Sequence, residues 1–237
     1  MYDCRDVART VNPAAYAARR DAFVDAAIRL IQKNGYEELS VQDLIEEVGA
    51  SRGAFFHYFE SKAALLAAVV ERIVEVATRQ VTPIAADPRL SALNKLQGVF
   101  EGIAQWKRAQ PEFQPEAVAE LVRIWYSDEN TIVLARLRDA VGTRLTPLLV
   151  DILRQGIAEG TFSMSSAEGA ASVFTSLMLG LNDAAIRFFL ARRDGAVSFD
   201  TVMGTLAAYA EAFERILGIP PLSWPLVDEA TMRFWFG

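Results

Sequence analysis

Apolar residues recur along this chain at spacings of three and four, and no useful stretch alternates with the period of two that a half-buried strand requires. The pattern predicts an all-α fold. A first helix runs from about Pro13 to Asn34, with Phe23, Ala27, Leu30 and Ile31 as its inward stripe. Gly35 stands where a left-handed cap is wanted, and Tyr36 is placed to fold back over it. Ser40-Val41-Gln42-Asp43 then reads as a capping-box start, with Asp in place of the usual Glu or Gln. Val41, Leu44, Ile45 and Val48 form the buried face of this second helix. Gly49 allows a turn, and Ser51 caps a third helix ending near Tyr58. Ser61 caps a fourth that continues to about Val81.

Pro83, Asp87 and Pro88 read as a boundary. The expected division is therefore 1–82, with an arm over 1–12 and a helix at about 51–58, and 83–237. The second part predicts helices at about 89–109, 115–126, 128–159, 165–193 and 198–217. In the third of these, Leu145, Leu148, Leu149, Ile152, Leu153 and Ile157 give a broad apolar stripe. Pro147 should kink that helix or delay its start. The segment 165–193 is apolar on more than one face, which burial against a second subunit would explain. The tail, IPPLSWPLVDEATMRFWFG, is expected to be irregular and to pack back on the body.

Two short helices joined by a tight turn make a helix-turn-helix, whose second helix can lie in a DNA major groove. Phe55, Tyr58 and Phe59 turn inward, so Arg52, Gly53, Phe56 and His57 point outward. Arginine can pair with guanine edges or phosphate, and glycine lets the backbone approach closely. Lys62 lies in the first turn of the fourth helix, where the dipole disfavours a cation unless a phosphate docks there. Ser40 and Ser51 sit at helix N-termini with hydroxyls suited to phosphate contact. The plainer reading of both serines is an ordinary cap. Arg5, Arg9, Arg19 and Arg20 form an arm for a minor groove or, alternatively, a solvated terminus.

Composition narrows the function. Net charge is −6, which argues against a nonspecific nucleic-acid coat while allowing a sequence-specific reader with one basic face. A single cysteine, Cys4, excludes an internal disulfide, and His57 is the only histidine. With no nucleophile motif and no glycine-rich phosphate loop, an enzyme is not expected, and neither is a cofactor or a metal site. No apolar run of about 18 residues and no secretory leader are read, so no membrane partner and a cytoplasmic setting are expected.

The run Gly49-Ala50-Ser51-Arg52-Gly53-Ala54-Phe55-Phe56-His57-Tyr58-Phe59-Glu60-Ser61-Lys62-Ala63-Ala64-Leu65 resembles the DNA-binding domain of TetR family transcriptional regulators, with likeness extending from about Arg20 to Val70. The resemblance implies a helix-turn-helix head on a larger helical domain for effector binding and dimerisation. It assigns DNA contact to Ser40, Ser51, Arg52, Gly53, Phe56, His57 and Lys62. Ala54 and Phe56 replace the family's usual threonine and tyrosine, whose hydroxyls commonly touch phosphates. Their loss weakens backbone anchoring by about 1 kcal/mol each.

By the same resemblance, the partners are a palindromic double-stranded operator, a small-molecule effector and a second copy of the chain, joined through about 165–217. Trp106, Phe113, Arg123, Trp125, Tyr126, Asn182 and Arg187 are the expected effector contacts, with Asp183 beside them. Aromatics at helical spacing also suit an ordinary core, and these charges also suit pairing with one another. The function expected is a repressor released by its effector. The competing reading is a protein-interaction module with a vestigial head, because two phosphate-binding hydroxyls are gone.

Overall fold

A computed structural model describes residues 12–79, 81–109, 119, 122–123, 125–224 and 229–237. The described residues form helices and no strand. α1 (Pro13–Asn34) begins at Asn12, whose side chain accepts the Ala14 and Ala15 amides, and Pro13 fills the first turn where no donor is needed. Gly35 ends it with φ 85° and ψ 162°, a positive φ but not the left-handed cap expected from sequence. The Tyr36 amide does not fold back either. It donates to Oδ1 of Asn130 at 2.8 Å, 94 residues away.

α2 (Val41–Val48) has the expected capping box: Asp43 N–H donates to Ser40 Oγ, and the Asp43 carboxylate accepts the Ser40 amide. Gly49, at φ 63° and ψ 45°, makes the left-handed turn. α3 (Arg52–Tyr58) starts from Ser51, and α4 (Lys62–Arg79) from Ser61. Phe23, Phe55 and Phe59 lie within about 6 Å of one another and, with Leu44, Leu65 and Val69, fill the first core.

The expected linker is itself a short helix, α5 (Thr82–Ala86), because Pro83 sits in its first turn and does not break it. α6 (Ala92–Ala109) follows. Of the helix expected at 115–126, positions 119, 122, 123 and 125 are helical and 126 is a turn. A short 3₁₀ turn at Asp128–Asn130 leads into α7 (Thr131–Ala158), which runs through Pro147 instead of starting after it. In that turn the Thr146 hydroxyl bonds the Gly142 carbonyl and reaches Thr175 on the next helix. Ile157, expected in the buried stripe, is exposed; the stripe ends at Gly156, on which the Phe162 ring packs.

α8 (Ala167–Arg193) and α9 (Phe199–Leu217) complete the body. Phe174, Phe213 and Trp224 form the second core with Phe100 against them. The tail does pack back, burying Trp224, Met232 and Phe236, but it is not irregular throughout. Residues Glu229–Phe236 form α10, which covers Phe189, Val202 and Leu206.

The two cores share one helix. Val133 of α7 belongs to the first, with Leu137, Ala140 and Val141 packed against it, while Leu149, Ile152 and Leu153 belong to the second. α8 is long and apolar enough to cross a membrane by length and composition, contrary to the expectation that no such stretch exists. Only 22% of its most apolar stretch is buried within the chain.

Candidate nucleic-acid interface

α3 is a seven-residue helix with two unlike faces. Phe55 is fully buried, and Phe59 just beyond it is nearly so, while Arg52, Gly53, Phe56 and His57 lie in solvent. Phe56 is 45% exposed, an unusual position for a phenylalanine on so short a helix. The Arg52 guanidinium sits 5.6 Å from its ring centroid, a cation–π contact. His57 meets Tyr16 of α1 edge-on at 5.6 Å. Tyr16 thus buttresses the exposed face from behind, and nothing in the pattern of apolar positions signals it. Arg19 and Arg20, expected in the arm, lie inside α1 instead, with Arg20 over the Phe59 ring at 5.2 Å, while Arg5 and Arg9 fall outside the described residues.

The two serines differ. The Ser40 hydroxyl accepts the Asp43 amide and donates its own proton to the Asp43 carboxylate at 2.6 Å, so both functions serve the cap. These bonds from Ser40 hold the Asp43 carboxyl below its usual pKa. The Ser51 hydroxyl accepts the Ala54 amide at 3.1 Å, and its proton has no acceptor among the described residues. Ser51 is therefore the better phosphate donor of the pair.

Lys62 stands in the first turn of α4 as expected, but it is not a loose surface cation. Its Nζ donates to the Glu37 carbonyl at 3.3 Å and lies 4.3 Å from the centroid of the Tyr36 ring. An ammonium has three donors, so one such bond leaves it able to meet a phosphate.

The expected effector residues do not gather in one place. The Trp106 side chain and Phe113 lie outside the described residues. Arg123 is exposed and pairs with Asp194 at 3.1 Å. Trp125 packs on the first core. Tyr126 and Asn182 do meet: the amide Nδ2 donates to the phenol oxygen at 3.3 Å. Asp183 beside them pairs with Arg138 at 2.5 Å. Burial raises the Tyr126 pKa, Asp183 adds to the rise, and Arg138 and the exposed Arg187 oppose it. Sequence reading missed an apolar crevice lined by Val81, Ala85, Val99, Leu145, Leu149, Ile152 and Met178, at the junction of α5, α6, α7 and α8. None of the expected effector residues lines it.

Residues 23–69 match the family described as bacterial regulatory proteins, tetR family. The chain is 41% identical over 68 residues to the HTH-type transcriptional repressor Rv1474c of Mycobacterium tuberculosis, a stretch covering 27% of this chain and 36% of that protein. It thus spans about a third of that relative's length. It is 27% identical over 153 residues to the HTH-type transcriptional repressor KstR2 of Mycolicibacterium smegmatis, covering 63% and 70% of the two chains. In three dimensions it is similar to SmeT in a complex with triclosan, with a TM-score of 0.58 at 17% identity over 89% of this chain and 100% of that one. At that identity the likeness concerns the fold.

Proposed function

Because the chain belongs to the tetR family of bacterial regulatory proteins, DNA-binding regulators of transcription and not enzymes, we propose that it is a homodimeric, cytoplasmic repressor that binds a palindromic operator and is released by a small-molecule effector. The outer face of α3 carries this reading. Arg52, Gly53, Phe56 and His57 stand exposed on a helix whose other face is locked into the first core by Phe55 and Phe59. Such a face offers an arginine for guanine edges or phosphate, an aromatic ring for a thymine methyl, and a close backbone approach at Gly53. Ser51 and Lys62 flank it as phosphate contacts.

Dimerisation is supported by α8, an apolar helix of which little is buried within one chain. A second copy packed on α8 and α9 would cover it. The pair of α3 helices would then read half-sites about one helical turn, roughly 34 Å, apart. Effector release needs only differential binding: a ligand that favours a different arrangement of α7 between the two cores shifts the population away from the DNA-competent one, by ~1–3 kcal/mol of coupling. The Tyr126–Asn182 pair, beside the Asp183–Arg138 ion pair that ties α8 to α7, is the place where a ligand would reach that helix.

Selection of purified protein against random duplex DNA, with sequencing of the retained pool at two salt concentrations, tests the proposal. An enriched palindrome is the expected result, and retention without one would overturn it. The absence of hydroxyls at Ala54 and Phe56 favours the vestigial-head reading as a second possibility. Ala54→Thr with Phe56→Tyr separates the two. A functional head gains about fivefold in affinity per restored phosphate bond and a vestigial one stays inert.

A further inference from the structure

Among the described residues, a buried hydrogen bond ties the turn after α1 to the start of α7. Asn130 is fully buried, and its side-chain Oδ1 accepts the Tyr36 amide at 2.8 Å. Tyr36 begins the turn between α1 and α2. Its ring, itself buried, forms the floor beneath Lys62 Nζ, 4.3 Å from the centroid, and the next residue supplies the carbonyl that Lys62 also contacts. Asn130 is the last residue before α7, whose Val133 lies in the first core three residues on. An amide oxygen from the effector body therefore fixes the backbone that builds the seat of a cation in the head.

We propose that Asn130 is a positioning residue for DNA binding: through the Tyr36 amide it sets the Tyr36 ring and the Glu37 carbonyl, and so holds the Lys62 ammonium at the start of α4 where a DNA phosphate docks. The inference rests on the repressor reading above. It adds that the phosphate contact is set by a residue outside the head. A long lysine side chain loses rotamer freedom when immobilised, and a seat made in advance removes part of that cost from the binding step. It also gives the body a direct handle: any movement of the α7 start that withdraws Asn130 releases Lys62.

The test compares wild type, Asn130→Ala, Lys62→Gln and the double variant on the selected operator, by fluorescence anisotropy across a range of salt. Each single substitution should weaken binding about tenfold. Both should also flatten the dependence of log affinity on log salt, by about 0.9 for every phosphate left without its cation. The double variant should fall no further than Lys62→Gln alone. Asn130→Asp, which keeps the acceptor oxygen, should restore the slope. Tyr36→Leu, which keeps Asn130 and its amide partner, should flatten it. Additive effects, or an unchanged slope in Asn130→Ala, would overturn the proposal, since a residue that merely stabilised the fold would leave the slope alone.

A second readout needs no DNA. With carbon-13 methyl groups on the lysines, the Lys62 signal should carry a ring-current shift from Tyr36 that Asn130→Ala abolishes, while the other lysine signals stay put. Persistence of that shift in Asn130→Ala would refute the positioning role of Asn130, whatever the DNA result. A wild type that selects no operator refutes the repressor reading instead, so the two failures are distinguishable.

Discussion

The head and the body solve the same problem, an all-helical core, with bonds of different reach. In the head, helix ends are closed within three residues: Ser40 with Asp43, Ser51 with Ala54, Ser61 with Ala64. In the body, α8 and α9 are closed in the same way by Ser166 and Ser198, but the start of α6 and the end of α7 are closed across the chain. Glu159 at the end of α7 accepts the Ala92 amide at the start of α6, and this bond, with one from Gln155, holds its carboxyl below its usual pKa. Gln155 spans the same gap to Lys95 and the Leu90 carbonyl. The Glu214 carboxylate, nearly fully buried, takes the Leu222 and Trp224 amides on its two oxygens. Short-range closure makes an element that forms early and keeps its shape. Long-range closure makes one whose geometry depends on its neighbours, which suits a part that must respond to a ligand.

The sharpest way to break this contrast is to empty the head's core. Phe55→Ala removes a fully buried ring that touches Phe23, Phe56 and Phe59, and should destabilise by about 4 kcal/mol. Because Val133 of α7 shares that core, calorimetry should show one lowered transition and not a separately melting head. Two resolved transitions would mean that the head is autonomous and that the shared helix is a weak tie.

The body's counterpart is Gly156. A methyl group there would lie 1.9 Å from the Phe162 ring, and that ring is buried in the second core. Gly156→Ala should cost about 3 kcal/mol and lower the melting temperature by roughly 6–12 °C in a chain of this size. A shift under about 2 °C would mean that the ring moves aside freely and that the second core is loosely packed.

These two sites also mark what is legible in the sequence. Phe55 reads as buried because its spacing with Tyr58 and Phe59 sets one face of a short helix, and Ser40, Gly49 and Ser51 carry their signals within a turn. Gly156 reads as an unremarkable helical glycine, because its constraint comes from a ring beyond the helix end. Asn130 is silent for the same reason, its partner being 94 residues away. The short helix α5 and the tail helix α10 escape a sequence reading because the prolines in and before them look like breakers. Pro83 is tolerated in a first turn, and α10 is held against the body by burial of Met232 and Phe236. The effector residues scatter because aromatic spacing does not say which of two cores a ring joins: Trp125 joins the first.

Glu214 tests the body's buried side-chain closure directly, at a reach of eight and ten residues. Two backbone amides use its two oxygens, at 3.1 and 2.9 Å. Glu214→Gln offers one acceptor oxygen and an amide nitrogen, leaving a buried N–H without a partner, at a cost of about 2 kcal/mol. Trp224, which that bond seats against Phe174 and Phe213, should loosen, and tryptophan emission should shift to the red. Unchanged emission would place the hold on Trp224 in ring packing alone.

The smallest effect is also the one that separates structure from function within the head. Ser40→Ala and Ser51→Ala each remove a helix cap worth about 1 kcal/mol, so both should lower stability to a similar extent. Their effects on DNA should differ. Both hydroxyl functions of Ser40 are spent on Asp43, so its loss should leave operator affinity near wild type once the protein is folded. The Ser51 hydroxyl has its proton to spare beside Arg52 and Gly53. Its loss should reduce affinity about fivefold on top of the shared destabilisation. Anisotropy titrations of the two variants at a temperature where both are fully folded check this. Equal affinities would make Ser51 a cap like Ser40 and leave Lys62 as the phosphate contact at this end of the face.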